Sequence, residues 1–141
     1  MRCLSIILSL ALGLSIFQGS AFAHGNEPHG MHLDAQMKKL HDMMPVFSAA
    51  SAELKSALEK GDAVTAKTQA DRILAAVPDL KKSKPHKNIK QLKKFVEFAT
   101  KLEKTVSSTV DLAKTGDIAA AKAAFKKVDE VCAACHAKFR D

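Results

Sequence analysis

Near the C-terminus the chain reads Val131-Cys-Ala-Ala-Cys-His136-Ala-Lys-Phe-Arg140, and this stretch has the most chemistry to offer. Two thiols with an imidazole directly after the second could form a redox pair, part of a zinc site or the attachment point of a haem. On a helix turning about 100° per residue, Cys132 and His136 lie one turn apart on one face and Cys135 sits beside them. That geometry suits a flat apolar macrocycle, since both thiols can form thioethers with vinyl groups while the imidazole reaches the iron. Zinc needs two further ligands at finger-like spacing, and no second cysteine pair exists. A thioredoxin-like pair belongs in a βαβ context. Cys-x-x-Cys-His is the sequence signal for covalent c-type haem, so one haem c, attached at Cys132 and Cys135 with its iron on His136, is the expected cofactor.

The element that carries these side chains must be a helix, and the rest of the chain agrees. It is rich in Ala, Lys, Leu and Glu and poor in β-branched runs, and its glycines and prolines act as punctuation. His24 to Gly30 reads as a flexible leader. From about Met31 to Lys60, apolar residues at Leu33, Met37, Leu40, Met44, Phe47, Leu54 and Leu58 form a helical stripe. Pro45 should kink or split that helix near its middle.

Gly61-Asp62 supplies a helix stop and a new N-cap. The second helix is expected to run to about Val77 and end at Pro78, with a lysine-rich loop over Asp79 to Lys84. Pro85 can then open a third helix at its first turn. Its stripe is Ile89, Leu92, Val96, Ala99, Leu102, Val106, Val110 and Ala113. Gly116-Asp117 repeats the stop-and-cap device, and a fourth helix runs from Ile118 to about Phe139. A faint repeat, Lys60-Gly-Asp-Ala-Val-Thr-Ala-Lys67 against Thr115-Gly-Asp-Ile-Ala-Ala-Ala-Lys122, is explained as well by shared turn chemistry as by duplication. The expectation is an all-α, antiparallel up-and-down four-helix bundle over residues 31–141.

Ahead of the bundle, Arg2, the apolar run Leu4 to Phe17 and the Ala21-Phe-Ala23 site have the three parts of a secretory signal peptide over residues 1–23. The run is shorter than the roughly 20 residues that span a bilayer, so no stable membrane anchor is expected after cleavage. Cys3 would leave with the peptide, and the remaining pair, Cys132 and Cys135, cannot make a disulfide framework. The chain carries 22 Lys and Arg against 15 Asp and Glu, a net charge of +7, with the basic residues spread along it. Nucleic-acid binding would need a clustered stripe with stacking aromatics, and there is no Trp or Tyr. A positive face suits instead the steering of an acidic protein partner. No nucleophile, acid-base pair or substrate motif stands out, so the chain does not read as an enzyme.

The stretch Cys132-Ala-Ala-Cys-His136-Ala-Lys-Phe139-Arg140, with the Gly116-Asp117 turn and helix before it, resembles the cytochromes c-prime and their non-covalent b-type four-helix relatives. The resemblance covers the bundle in helix order, and its specific part is the last helix. It implies His136 as the proximal iron ligand, Cys132 and Cys135 as the porphyrin's anchors, and Phe139 and Arg140 near the proximal pocket. Taken alone, Arg140 would read as a solvated terminal residue; the likeness suggests a guanidinium that pairs with haem propionates. A bacterial periplasmic location and a possible homodimer are further implications of the likeness.

The same likeness directs attention to the first helix for the other side of the iron. Family members with a small apolar residue there are five-coordinate and bind NO or CO, whereas those with methionine are six-coordinate and carry electrons. Aligning Leu33-Asp-Ala-Gln-Met37-Lys-Lys-Leu40 with the b-type relatives puts Met37 at the ligand position. Registering on Met44-Pro45-Val46 instead puts Leu33 there. His41 and Met44 share the face, and any methionine can simply fill core space. The expected function is one-electron transfer with His136 and Met37 as axial ligands; the alternative is a gas-binding protein whose open distal site is lined by Leu33. A third reading uses the leader, where His24, His29 and His32 with Met31 could bind copper.

Overall fold

The computed structural model describes residues 35–140, and the signal-peptide and leader readings, with Leu33, lie outside them. Four helices account for most of the described chain: α1 (Ala35–Lys60), α2 (Ala63–Lys82), α3 (Leu92–Lys114) and α4 (Ile118–Phe139), with a 3-10 turn at Ile89–Gln91 before α3. Consecutive helices pack against each other, while α1 and α4 meet only sparsely. This is the expected up-and-down bundle, and no strand occurs among the described residues. None of the described helices is long and apolar enough to cross a membrane.

The two glycine turns are built alike. At the first, the Gly61 N–H donates to Leu58 O and the Asp62 N–H to Ala57 O; at the second, Gly116 donates to Ala113 O and Asp117 to Leu112 O. These paired bonds form a Schellman motif, which requires the left-handed conformation that Gly61 (φ 71°) and Gly116 (φ 83°) adopt. The aspartate after each glycine then caps the next helix. Asp62 accepts from the Thr65 N–H at 3.0 Å, and Asp117 from the Ala120 N–H at 2.9 Å. The Thr65 hydroxyl also bonds the Asp62 carboxylate at 2.6 Å, and these bonds hold that carboxyl below its ordinary range. One Gly-Asp pair therefore both ends a helix and begins its antiparallel neighbour, which accounts for the repeat.

The prolines behave differently from expectation. Pro45 lies inside a continuous α1 and Pro78 inside α2, which continues to Lys82, so the expected stop at Val77 does not occur. Both prolines are exposed, Pro45 on the border of an open cavity, so water can reach the carbonyl each one frees. The buried neighbours Met43 and Phe47, and Val77 and Leu80, anchor the helix on either side. Pro85 does not open α3: it is fully buried in the α2–α3 connection, and α3 begins only at Leu92. The inner face of α3 is also shifted at its start, with Phe95 buried while Ile89 and Leu92 are exposed.

Deep in the bundle Leu54, Leu58, Ile73, Val77, Val106 and Val128 are fully buried. The buried hydroxyl of Thr109 is satisfied by Thr105 O at 2.8 Å. Toward the end holding the two glycine turns the interior includes Ala57, Ala66, Ala113 and Ala121 beside Leu58, Val110 and Phe125. Asp117→Ala should lower the unfolding free energy by about 1 kcal/mol, read from the urea midpoint, while Asp117→Ser should be nearly neutral. Equal losses in both variants would mean that the cap bond carries no stability.

Candidate functional site

The helical period of α4 determines how the motif is presented. Val128, Val131 and Phe139 are buried, Ala133, Ala134 and Ala137 face solvent, and Cys132, Cys135 and His136 stand half-buried between them. Those three side chains border a cavity of about 730 Å³, within the ~300–1,000 Å³ typical of ligand and cofactor sites. The cavity occupies the α1–α4 side of the bundle, where helix-on-helix contact is sparse.

Its walls are mainly apolar. α1 contributes Leu40, Met44 and Phe47, with His41, Ser48 and Ser51 adding polar atoms. α3 contributes Phe95, Phe98, Ala99 and Leu102, and the α2–α3 connection contributes Pro85 and His86. The Phe139 ring meets Phe95 edge-on at 5.3 Å and Phe98 at 6.1 Å between centroids, bracing the last turn of α4 against α3. The rings of His41 and His86 meet at 4.6 Å, joining α1 to the connection.

The C-terminal turn of α4 is clasped from outside. The Lys87 N–H donates to Phe139 O at 3.2 Å, and the Asn88 side-chain amide donates to Lys138 O at 2.7 Å. Carbonyls that a helix end leaves without intrahelical partners are satisfied in this way. Asn88 reaches them from a left-handed backbone conformation, φ 57°, which asparagine tolerates.

The electrostatics argue against a thiolate redox pair. Burial pushes the Cys132 thiol up, with the Asp129 carboxylate adding to it. Burial and then the neighbouring Cys132 push Cys135 up to about 11. Reactive Cys-x-x-Cys pairs instead have lowered values. The two cysteines are not joined in a disulfide. His136 is shifted down, by burial first and the Arg140 guanidinium second, which favours the neutral imidazole that binds metals. Among the described residues no group of three or more His, Cys, Asp and Glu could hold a bare metal ion, so a zinc cluster finds no support there. Two neutral thiols and a neutral imidazole on the wall of an apolar cavity fit a large apolar group bearing its own metal.

Residues 35–140 match the family model described as Cytochrome C'. The chain belongs to the cytochrome c′ family. In searches of the curated proteins and of the solved structures nothing matches it. As a family member it is a haem-binding c-type cytochrome.

Cys132, Cys135, His136, Phe139 and Arg140 all border that cavity. So do His41 and Met44, whereas Met37, half-buried one turn before Leu40, is not among the lining residues. Met37 shares the helical phase of Met44, which lies seven residues, or about two turns, further on. The sequence reading missed Phe95, Phe98 and His86. The spacing of Phe95, Ala99, Leu102 and Val106 was available as a signal, and ring size favours Phe95 over Val96 for the inner face. Nothing in the sequence pattern marks His86, which is brought to the site by the connection. In the haem-free protein, with helicity checked by circular dichroism, iodoacetamide at pH 8 should modify Cys135 more than tenfold more slowly than free cysteine, and Cys132 more slowly too. The reason is that raised thiol pKa values leave little thiolate at that pH. Equal or faster labelling would contradict it.

Proposed function

We propose that the protein is a periplasmic one-electron carrier with a single haem c, joined by thioethers to Cys132 and Cys135 and held at its iron by His136. The observation that carries this reading is the convergence of both thiols and the imidazole on one apolar cavity in a member of the cytochrome c′ family. The haem, when bound, supplies the reversible Fe(III)/Fe(II) couple. The chain's own residues hold and insulate it. Two covalent anchors one turn or less from His136 fix the macrocycle against α4, and the neutral imidazole is ready to donate. Phe95, Phe98 and Phe139 exclude water and disfavour extra positive charge, which raises the reduction potential. Arg140, exposed on the cavity border, is the natural partner for a propionate.

For the second axial position the reading takes a thioether of α1, Met37, since Met/His ligation favours electron transfer at a raised potential. His41 and Met44 compete with it because they line the cavity. The absence of Met37 from the cavity lining supports a second reading, in which Met37 stays off the iron and the protein binds NO or CO at an open distal site, for which the family likeness names Leu33. Absorption spectra of the ferrous protein with and without CO separate the two. Electron transfer predicts a low-spin form indifferent to CO, turned high-spin and CO-binding by Met37→Ala but not by His41→Ala or Met44→Ala. A wild-type ferrous form that takes up CO would favour the gas-binding reading. An unchanged spectrum in Met37→Ala would remove Met37 from the iron.

A further inference from the structure

The segment between Leu80 and Val96 contains seven lysines and no acidic residue. It runs from the end of α2 through the connection and the 3-10 turn into α3, and it is the segment that clasps the last turn of α4. Three carboxylates at this end of the bundle are paired, Asp42 with Lys38, Asp79 with Lys39 and Glu97 with Lys94, while Asp129 on the cavity border belongs to α4 and not to this segment. None of the described ion pairs involves Lys87, Lys90 or Lys93, all of which are exposed. The opposite end is mixed in sign, with Glu59, Asp62, Asp111 and Asp117 among its lysines.

Within this basic collar two large apolar side chains face solvent, Ile89 at 51 % and Leu92 at 40 % exposure. Their exposure is not a packing failure, because the neighbouring Phe95 fills the inner position. An apolar centre with a charged rim is the usual anatomy of a protein docking surface. Its place in the fold gives it a use. The Lys87 N–H is 3.2 Å from Phe139 O, one turn from His136, so a partner seated on this turn stands over the helix end that bears the haem motif.

We propose that Ile89 and Leu92, ringed by Lys87, Lys90 and Lys93, form the docking surface for an acidic redox protein that carries carboxylates around a small apolar spot. This inference rests on the electron-carrier reading above and adds the partner's chemistry and place. A like-signed rim steers an acidic partner by long-range attraction, raises its encounter rate and loses strength with salt. The apolar pair, two side chains on neighbouring turns, is small for anchoring in lipid but matched to a protein spot of similar size.

The test uses the haem-loaded protein and a plant-type [2Fe–2S] ferredoxin as an acidic one-electron donor, with reduced lumiflavin as a small neutral donor. Haem reduction by ferredoxin should slow steeply with ionic strength. The triple variant Lys87→Glu/Lys90→Glu/Lys93→Glu should slow it at least tenfold and flatten the salt dependence. Lys55→Glu/Lys60→Glu/Lys122→Glu, with the same change in net charge at the far end, should change it less than twofold. Ile89→Ser/Leu92→Ser should slow it while leaving the salt dependence intact. In the labelled protein, oxidised ferredoxin should shift amide resonances of residues 87–94 and around Lys138. Equal slowing by the two triple variants, or amide shifts elsewhere, would overturn the docking surface while leaving electron transfer standing. Failure of lumiflavin to reduce the haem would remove the electron-carrier reading and the docking surface with it. Binding to phosphatidylglycerol-containing vesicles that the first triple abolishes, with ferredoxin rates unaffected, would assign the surface to lipid and overturn the proposal.

Discussion

The bundle closes by direct helix-on-helix packing between consecutive helices, whereas α1 and α4 are kept apart along a cavity of about 730 Å³. Close packing is the rule in protein interiors, because side chains across a gap forfeit their dispersion contacts. A cavity of this size between two helices is therefore a constraint on everything around it. The helices must be held at the right spacing by contacts elsewhere, and the lining must favour an apolar occupant. Any ligand that binds the folded chain alone also stabilises it, so cofactor binding and bundle stability are linked in this architecture.

The division of the bundle into two ends follows from that constraint. At the end with the Gly-Asp turns four alanines share the interior with Leu58, Val110 and Phe125, and two nearly identical Schellman-and-cap turns fix the pairing of α1 with α2 and α3 with α4. Phenylalanines take over toward the other end, where Phe95, Phe98 and Phe139 brace α4 on α3 without needing α1. The last turn of α4 also rests on the connection, through Lys87 and Asn88. The motif is thus carried by a helix end supported on two sides and bordered by the cavity on a third.

How much of this could be read from the sequence depends on whether the signal was local. The Gly-Asp turns were legible because a left-handed glycine and an aspartate cap are properties of a few adjacent residues. The Cys-His motif was legible for the same reason, and α4 presents it as its period requires. Pro45 does not split α1 and Pro78 does not end α2, because a local breaker is judged by its environment. Pro45 and Pro78 are exposed residues of helices whose buried sides continue, and tertiary packing overrides the local penalty. The start of α3 was misread because two apolar stripes one residue apart compete there, and only the neighbouring helices decide which is buried. His86 depends on a connection whose path no local rule specifies.

That last kind of illegibility bears on the far side of the iron. Helical phase puts Met37, Leu40 and Met44 on one face of α1, so phase alone cannot choose among them. The choice depends on height along the bundle. α4 runs antiparallel to α1, and the cavity reaches from Leu40 to Ser51 on α1 and from Asp129 to Arg140 on α4. His136 lies one turn from the Arg140 limit, so the α1 side chains at its height lie near Met44, while Met37 lies before the lined stretch, toward the start of α1. Several donors therefore share one face of α1, and which of them stands at the height of His136 is set by how α1 packs against its neighbours rather than by any local feature.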